Sequence, residues 1–447
     1  MLKVVCLVVL VLVLLLADDV SSVVDVCECR PSMSVGAADR TCSLQRVCFL
    51  SASTPPAAQT AVELIIDDDA SLVDASQLDT PLAHLGSYST SLRVKLRHAR
   101  SDAERARLRM AVHVAEPSFL VTGSNAMFWH WIGDEFFSLF WLMEFWLGQR
   151  VVSGAAPLPV RVVLLERLSA HATQLVSTVT SRPLLLITSA NEAPLAADAS
   201  TVELVRDVCF ERVYVGPASR QLGGPGSKYV DAALVARFAA FVARSNQLPA
   251  APPAAERALL LFDYRLADRR ISNLDAVRAA FDEQFRSAAL DVQFANMASL
   301  ARRQQLQLLQ RASIYIAVHG SAFANVLWLP PSGAQVLEIF PFGFERPTYE
   351  SVCRKYLPHV RYHRWQNPDR SAAQFDRSIL ERHGVAAAEM AQIVDAPAYD
   401  YRMSWSANFY WINQDTRLPV APSSTFMTLV AQLVATTTQR ERQRSEL

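Results

Sequence analysis

Two short stretches combine residue types that could handle a phosphate. The first is AVHGSAFANVLWLPPSGAQVLEIFP, residues 317–341, where an apolar strand runs into His319, Gly320 and Ser321. A glycine lets the backbone turn tightly at the strand's end, and the residues after it can open a helix whose free N–H groups favour an anion. His319 can donate to a phosphate or ribose oxygen, or it can satisfy a backbone carbonyl. Glu338 sits on the next apolar strand, where burying a lone acid costs several kcal/mol without partners. A ribose hydroxyl, a loop N–H or the His319 loop itself would serve. The second stretch, FDYRLADRRISN (262–273), ends a strand at Arg265 and sets Arg269 four residues on. Two fixed guanidinium groups at a cleft edge would neutralise a diphosphate and stabilise it as a leaving group. The competing pairing is with Asp263 and Asp268, and Arg270 reads as a solvated neighbour.

These residues need strand ends to hold them, and the surrounding pattern supplies strands. ALLLFDY (258–264), DVQFANM (291–297), IYIAVHG (314–320) and AQVLEIF (334–340) read as strands buried on both faces. Helical spacing over 272–285 and 299–313 separates them, with Ser272 or Asn273 as N-cap. Earlier, RVVLLE (161–166), PLLLITS (183–189) and RVYVG (212–216) read the same way, and 230–248 is a helix. Strand–helix–strand alternation means parallel sheet with helices on both faces. The expected organisation is α/β, with two domains facing a cleft. Residues 1–22 form a signal peptide or short signal anchor, and 23–60 a cysteine-containing lead segment. An N-terminal α/β domain over 61–247 meets a Pro/Ala linker at 248–257. A C-terminal α/β domain spans 258–398, and 399–447 is a segment expected to cross back over the first domain.

Composition narrows the partners. Of 447 residues, 51% are hydrophobic, which allows a sizeable core, and Lys+Arg and Asp+Glu both count 43. That balance, with no basic cluster among aromatics, argues against nucleic acid. The fourteen apolar residues from Val4 to Ala17 follow Lys3 and precede Asp18 and Asp19. They are short for a span of about 20 residues and match a signal peptide, or an uncleaved anchor as the one membrane attachment. Six cysteines lie beyond this leader, four of them (Cys27, Cys29, Cys42 and Cys48) close together. They read as a disulfide framework with three possible connectivities rather than as a zinc site. No N-x-[ST] sequon occurs. The D-x-D at 67–69 could bind a metal but reads better as a solvated acidic turn, so no obligatory metal is expected. The terminal RSEL is a loose relative of retrieval signals.

Together, VHGSAFANVLWLPPSGAQVLEIFP, FDYRLADRRISN, SNAMFWHWIGDEFFSLF (124–140), CFERVYVG (209–216) and FYWINQD (409–415) resemble the motifs of glycosyltransferase family 61. The family reads H-G-A-G-L-T-N where this chain has His319 to Asn325, and R-x3-R-x3-N at Arg265, Arg269 and Asn273. Its second loop glycine is Ala322 here and its threonine is Ala324, a hydroxyl that Ser321 could replace. A left-handed backbone at Ala322 would be strained.

The resemblance implies a GT-B architecture of two Rossmann-like domains. It also implies an inverting transfer from a nucleotide sugar, as a UDP-sugar, to a glycan or glycoprotein hydroxyl in the endoplasmic reticulum or Golgi lumen. GlcNAc or a pentose such as xylose is the implied sugar. The implied donor-binding residues are Arg265, Arg269, Asn273, His319, Gly320, Ser321, Asn325 and Glu338. His130 and Asp134 match the family's N-x4-H-x3-D segment, and their i, i+4 spacing puts both on one helix face. Asp134 is the favoured catalytic base with His130 orienting it; the converse arrangement is the alternative, as is a purely structural pair. A lumenal glycan-binding protein that kept the fold and lost transfer is the rival function.

Overall fold

A computed structural model describes residues 27–31, 40–50, 61–66, 83–85, 92–121, 131–148, 151, 157–164, 170–187, 202–216, 222, 230–249, 258–286, 288 and 290–445. These fall into two compact units interleaved in sequence. One is drawn from Met1–Ser124, Pro159–Arg167 and Arg182–Ser219, the other from Asn125–Leu158, Leu168–Ser181 and Arg220–Leu447. Among the described residues, no helix is long and apolar enough to cross a membrane.

The first unit is built on one mixed sheet. Its centre is the long antiparallel pair Arg40–Leu50 and Asp207–Val215. Ser118–Val121, Arg161–Leu164, Leu184–Ile187 and Val202–Val205 continue outward in parallel from the second of these. The cysteine-rich segment therefore contributes a central strand, and the sheet is not parallel throughout. Register sets Cys48 opposite Cys209, and the two form a disulfide with Cα atoms 3.9 Å apart. The partner of Cys48 thus comes from a strand 161 residues away, not from the early cluster. Cys42 is also disulfide-bonded, and Cys29 stands opposite it in register.

The second unit carries the expected parallel sheet. Its strands are β1 (Ala258–Asp263), β2 (Leu290–Ala295), β3 (Ala312–Val318), β4 (Ala334–Phe340) and β5 (Val360–Gln366). All pair in parallel in the order β2-β1-β3-β4-β5. The direction of winding reverses between β1 and β3, and ligands of open α/β sheets bind beyond the strand ends at such a point. Side chains alternate across each strand. Leu260, Phe262, Ile314, Ile316, Leu337 and Ile339 go to one face, where they pack on helix α1 (Leu274–Phe285) through Val277, Phe281 and Phe285.

The terminal helix α3 (Thr425–Ser445) covers the same face through Phe426, Met427, Val430, Leu433 and Val434. Gln335 donates to Leu433 O (2.8 Å) and Thr437 Oγ1 (2.7 Å), tying α3 to β4. The C-terminal segment thus serves as a layer of the C-terminal sheet. Each fully buried side chain of this kind stabilises by about 1.5–3 kcal/mol. A shorter helix, α2 (Trp405–Ile412), precedes α3 and is capped by Ser404, whose hydroxyl accepts from Ala407 N.

The Cys48–Cys209 link closes a long loop, so its loss should cost about 2–5 kcal/mol. Urea unfolding of Cys209→Ala should show that loss. Non-reducing peptide mapping should recover Cys48 joined to Cys209, with buried Cys353 alkylated only after unfolding. Recovery of Cys48 as a free thiol from freshly isolated protein would contradict the pairing.

Candidate functional site

The ends of β1 and β3 meet at Gly320. Pairing of β3 with β4 runs one residue past the strand, where His319 N donates to Ile339 O (2.8 Å). Gly320 then takes φ +149°, and a short 3-10 helix begins at Ser321. A Cβ on Gly320 would lie 2.1 Å from Arg269 Nη1 and 3.1 Å from Arg265 Nη1. Only glycine leaves room for both guanidinium groups. Ala322 falls within the 3-10 helix and outside the left-handed residues, so the missing family glycine costs no strain there.

The two arginines converge without an acid between them. Arg269 Nη1 donates to His319 O (3.1 Å), while Arg269 Nε and Arg265 Nη1 are buried with no partner among the described residues. Burial, and then the charge of Arg265, pull the Arg269 guanidinium down to about 10, where it still carries its proton at neutral pH. Asp263 makes no hydrogen bond to either, although the Arg265 charge acts on it. It accepts from Tyr315 Oη (2.8 Å) and from Met297 N (3.4 Å), and burial pushes its carboxyl up to about 6. Tyr315 also hydrogen-bonds Asn325, whose Oδ1 is left without a partner.

Arg269 is one of the few non-glycine residues with positive φ, at +64°. Its neighbours hold that conformation. Arg270 donates from its backbone N (2.7 Å) and from Nε (2.8 Å) to the Asp415 carboxylate. Arg270 is exposed, as expected of a solvated neighbour, and its pairing with Asp415 was invisible in sequence because that partner lies 145 residues on. Asn273 caps α1 by position but not by side chain. Its amide instead donates to Leu418 O and accepts from Leu418 N, both at 2.9 Å, clamping the chain after α2.

His319 is fixed from behind. Its Nδ1 lies 2.5 Å from Glu338 Oε1, and Tyr362 Oη donates to Glu338 Oε2 at 2.5 Å. Glu338 is fully buried and His319 is 3% exposed. A carboxylate at Nδ1 selects the tautomer protonated there and leaves Nε2 as the nitrogen with capacity for a ligand. The ring also stacks on Phe340, with centroids 4.9 Å apart. Burial and the Glu338 charge push the Tyr349 and Tyr362 phenols well up, so both remain protonated donors.

A cleft opens beside this cluster, with Arg269, His319, Gly320 and Ser321 on its wall. Arg346 and the α2 residues Trp405, Asn408 and Phe409 also line it. Of the candidates from sequence, the structure thus brings Arg265, Arg269, His319, Gly320 and Ser321 together. Glu338 hydrogen-bonds His319, Asn273 hydrogen-bonds Leu418, and Asn325 hydrogen-bonds Tyr315. Asp134 lies in a π-helical turn, Trp131–Phe136, which groups with this second unit; its side chain and all of His130 lie outside the described residues. So do residues 67–69. The α2 residues were missed, although their i, i+3, i+4 spacing marks a common face.

Residues 128–337 match the family described as Glycosyltransferase 61. The matched span holds both arginines and the His319–Asn325 loop and stops one residue before Glu338. Comparison with curated proteins finds no match.

The buried Asp263 makes stability depend on pH. Its carboxyl binds a proton more tightly in the folded state than in the unfolded one, where 3.8 is the ordinary value. The stability it contributes is therefore full below the unfolded value and is lost as pH rises through about 6. Asp263→Asn should remove this slope. Between about pH 4 and about pH 7.5, wild type should lose about 2 kcal/mol relative to the variant in urea unfolding. Parallel pH profiles would contradict an ionisable carboxyl at this depth.

Proposed function

We propose, from the premise that the chain belongs to the glycosyltransferase 61 family, that it is an inverting enzyme of the secretory lumen. It would take a sugar, GlcNAc or a pentose such as xylose, from a nucleoside-diphosphate donor to a hydroxyl of a glycan or protein. The observation that carries this reading is the pair of guanidinium groups converging on Gly320 without a carboxylate between them. Two like charges held together at a cleft wall repel each other, and a diphosphate would relieve that repulsion.

In the proposed reaction the acceptor oxygen attacks the anomeric carbon from the face opposite the diphosphate. The bond from that carbon to the phosphate oxygen breaks, and the diphosphate leaves with its electron pair. Arg265 and Arg269 would stabilise the charge that develops on it, and His319 Nε2, an acceptor in this tautomer, would take a hydroxyl of the donor. The acceptor proton passes to a base, for which Asp134 is proposed, with His130 orienting it. The GT-B architecture and a UDP-sugar donor belong to the same proposal. The unstrained backbone at Ala322 and the guanidinium nitrogens without a partner among the described residues support a retained donor site over a degenerate glycan-binding protein.

Thermal unfolding with a panel of nucleotide sugars tests the donor site. A donor at ten times its Kd should stabilise wild type by about 1.4 kcal/mol. Arg265→Ala and Arg269→Ala should lose this response while remaining folded, and an undiminished response in both would remove the assignment. For the base, turnover at saturating donor should fall by a factor of about 10²–10⁴ in Asp134→Asn with little change in melting temperature. If Asp134→Asn turns over normally and His130→Ala does not, the roles are exchanged.

A further inference from the structure

The cleft that Arg269 lines has a second set of lining residues. These belong to α2, whose residues at i, i+3, i+4 and i+7 (Trp405, Asn408, Phe409 and Ile412) all line the cleft. The other side of the helix is anchored in the core by Ala407, Tyr410 and Trp411, packed with Phe340 and Phe344. The orientation of the lining face is therefore set by packing.

Two of its features call for a ligand. Trp405 is 60% exposed, the reverse of what a large indole does without reason, and its contact with Phe409 is edge to face (centroids 5.1 Å, planes at 82°). An edge-on neighbour leaves ring surface open for stacking. Asn408 is 3% exposed, yet its Oδ1 has no partner among the described residues. A buried carboxamide oxygen without a hydrogen bond is unusual and costly. A carboxamide carries a donor and an acceptor side by side, which suits the edge of a base.

We propose that α2 is the nucleobase subsite of the donor cleft: Trp405 and Phe409 supply ring surface for the base, and Asn408 hydrogen-bonds its edge. The inference rests on the diphosphate reading of the arginines above. It adds that the ligand is a nucleoside diphosphate recognised at both ends, the charged end by Arg265 and Arg269 and the ring by α2. Trp405 and Asn408 are then determinants of which nucleotide is accepted.

Calorimetric titration of the full chain with UDP and with inorganic pyrophosphate separates the two ends. Wild type should bind both, UDP the more tightly. Trp405→Ala should weaken UDP by about tenfold or more, the range of base–aromatic stacking, and leave pyrophosphate within about twofold. Trp405→Phe, which keeps a ring, should restore most of the loss. Asn408→Ala should weaken UDP in the same selective way and narrow the difference between UDP and ADP. Trp405 is on the surface, so its variants should fold even where Asn408→Ala does not. The inference is overturned if Trp405→Ala binds UDP as wild type does, which would leave the ring for a glycan. It is equally overturned if UDP and pyrophosphate weaken by the same factor. Failure of wild type to bind pyrophosphate would instead remove the diphosphate reading, and this inference with it.

Discussion

Two guanidinium groups occupy the space that a side chain on Gly320 would fill. Like charges at that distance repel, and burial adds to the cost by stripping water from Arg269. Something in the fold must therefore hold them together. Much of the second unit can be read as that support. Arg269 reaches the glycine only from a left-handed backbone, which costs about 1–2 kcal/mol for an ordinary residue. The Arg270–Asp415 pair and the Asn273–Leu418 clamp fix the loop on the far side of that residue. The same two ties fix the chain that follows α2, so the arginine loop and the aromatic wall of the cleft are set by one set of bonds.

Division of labour between the two faces of the parallel sheet follows from strand alternation. One face is apolar at its core positions apart from Gln335, which donates to α3, and it is sealed by α1 and α3. The other carries Asp263, Tyr315 and Glu338. Each of these buried polar groups is held by another: Glu338 by His319 and Tyr362, Asp263 by Tyr315. Buried polar networks of this kind rigidify when their members are satisfied. Both faces are buried, Leu259, Leu261 and Val336 on the second, and this polar network orients groups at the strand ends.

Much of this was legible in the chain. The apolar runs and helical spacings mark β1 to β4 and α1 because those signals are local: a strand buried on both faces must be apolar, and an amphipathic helix must repeat every 3.6 residues. The His319–Gly320 turn and the Arg265, Arg269 spacing point to an anion for the same reason, since residue type and a strand end suffice. The family motifs extended this reading to Asn273, Asn325 and Glu338, which hydrogen-bond Leu418, Tyr315 and His319.

What the sequence by itself determined, then, is the set of elements and the chemistry available at their ends. Only the tertiary structure decided which groups share a partner. Cys48 finds Cys209 because register in a mixed sheet brings them opposite, and spacing along the chain carries no trace of that register. Arg270 becomes a latch because Asp415, distant in sequence, is folded against it. Trp405 and Asn408 reach the cleft because Tyr410 and Trp411 on the same helix are buried in the core and fix its rotation. Such pairings depend on chain closure over long separations, which leaves no local pattern to read.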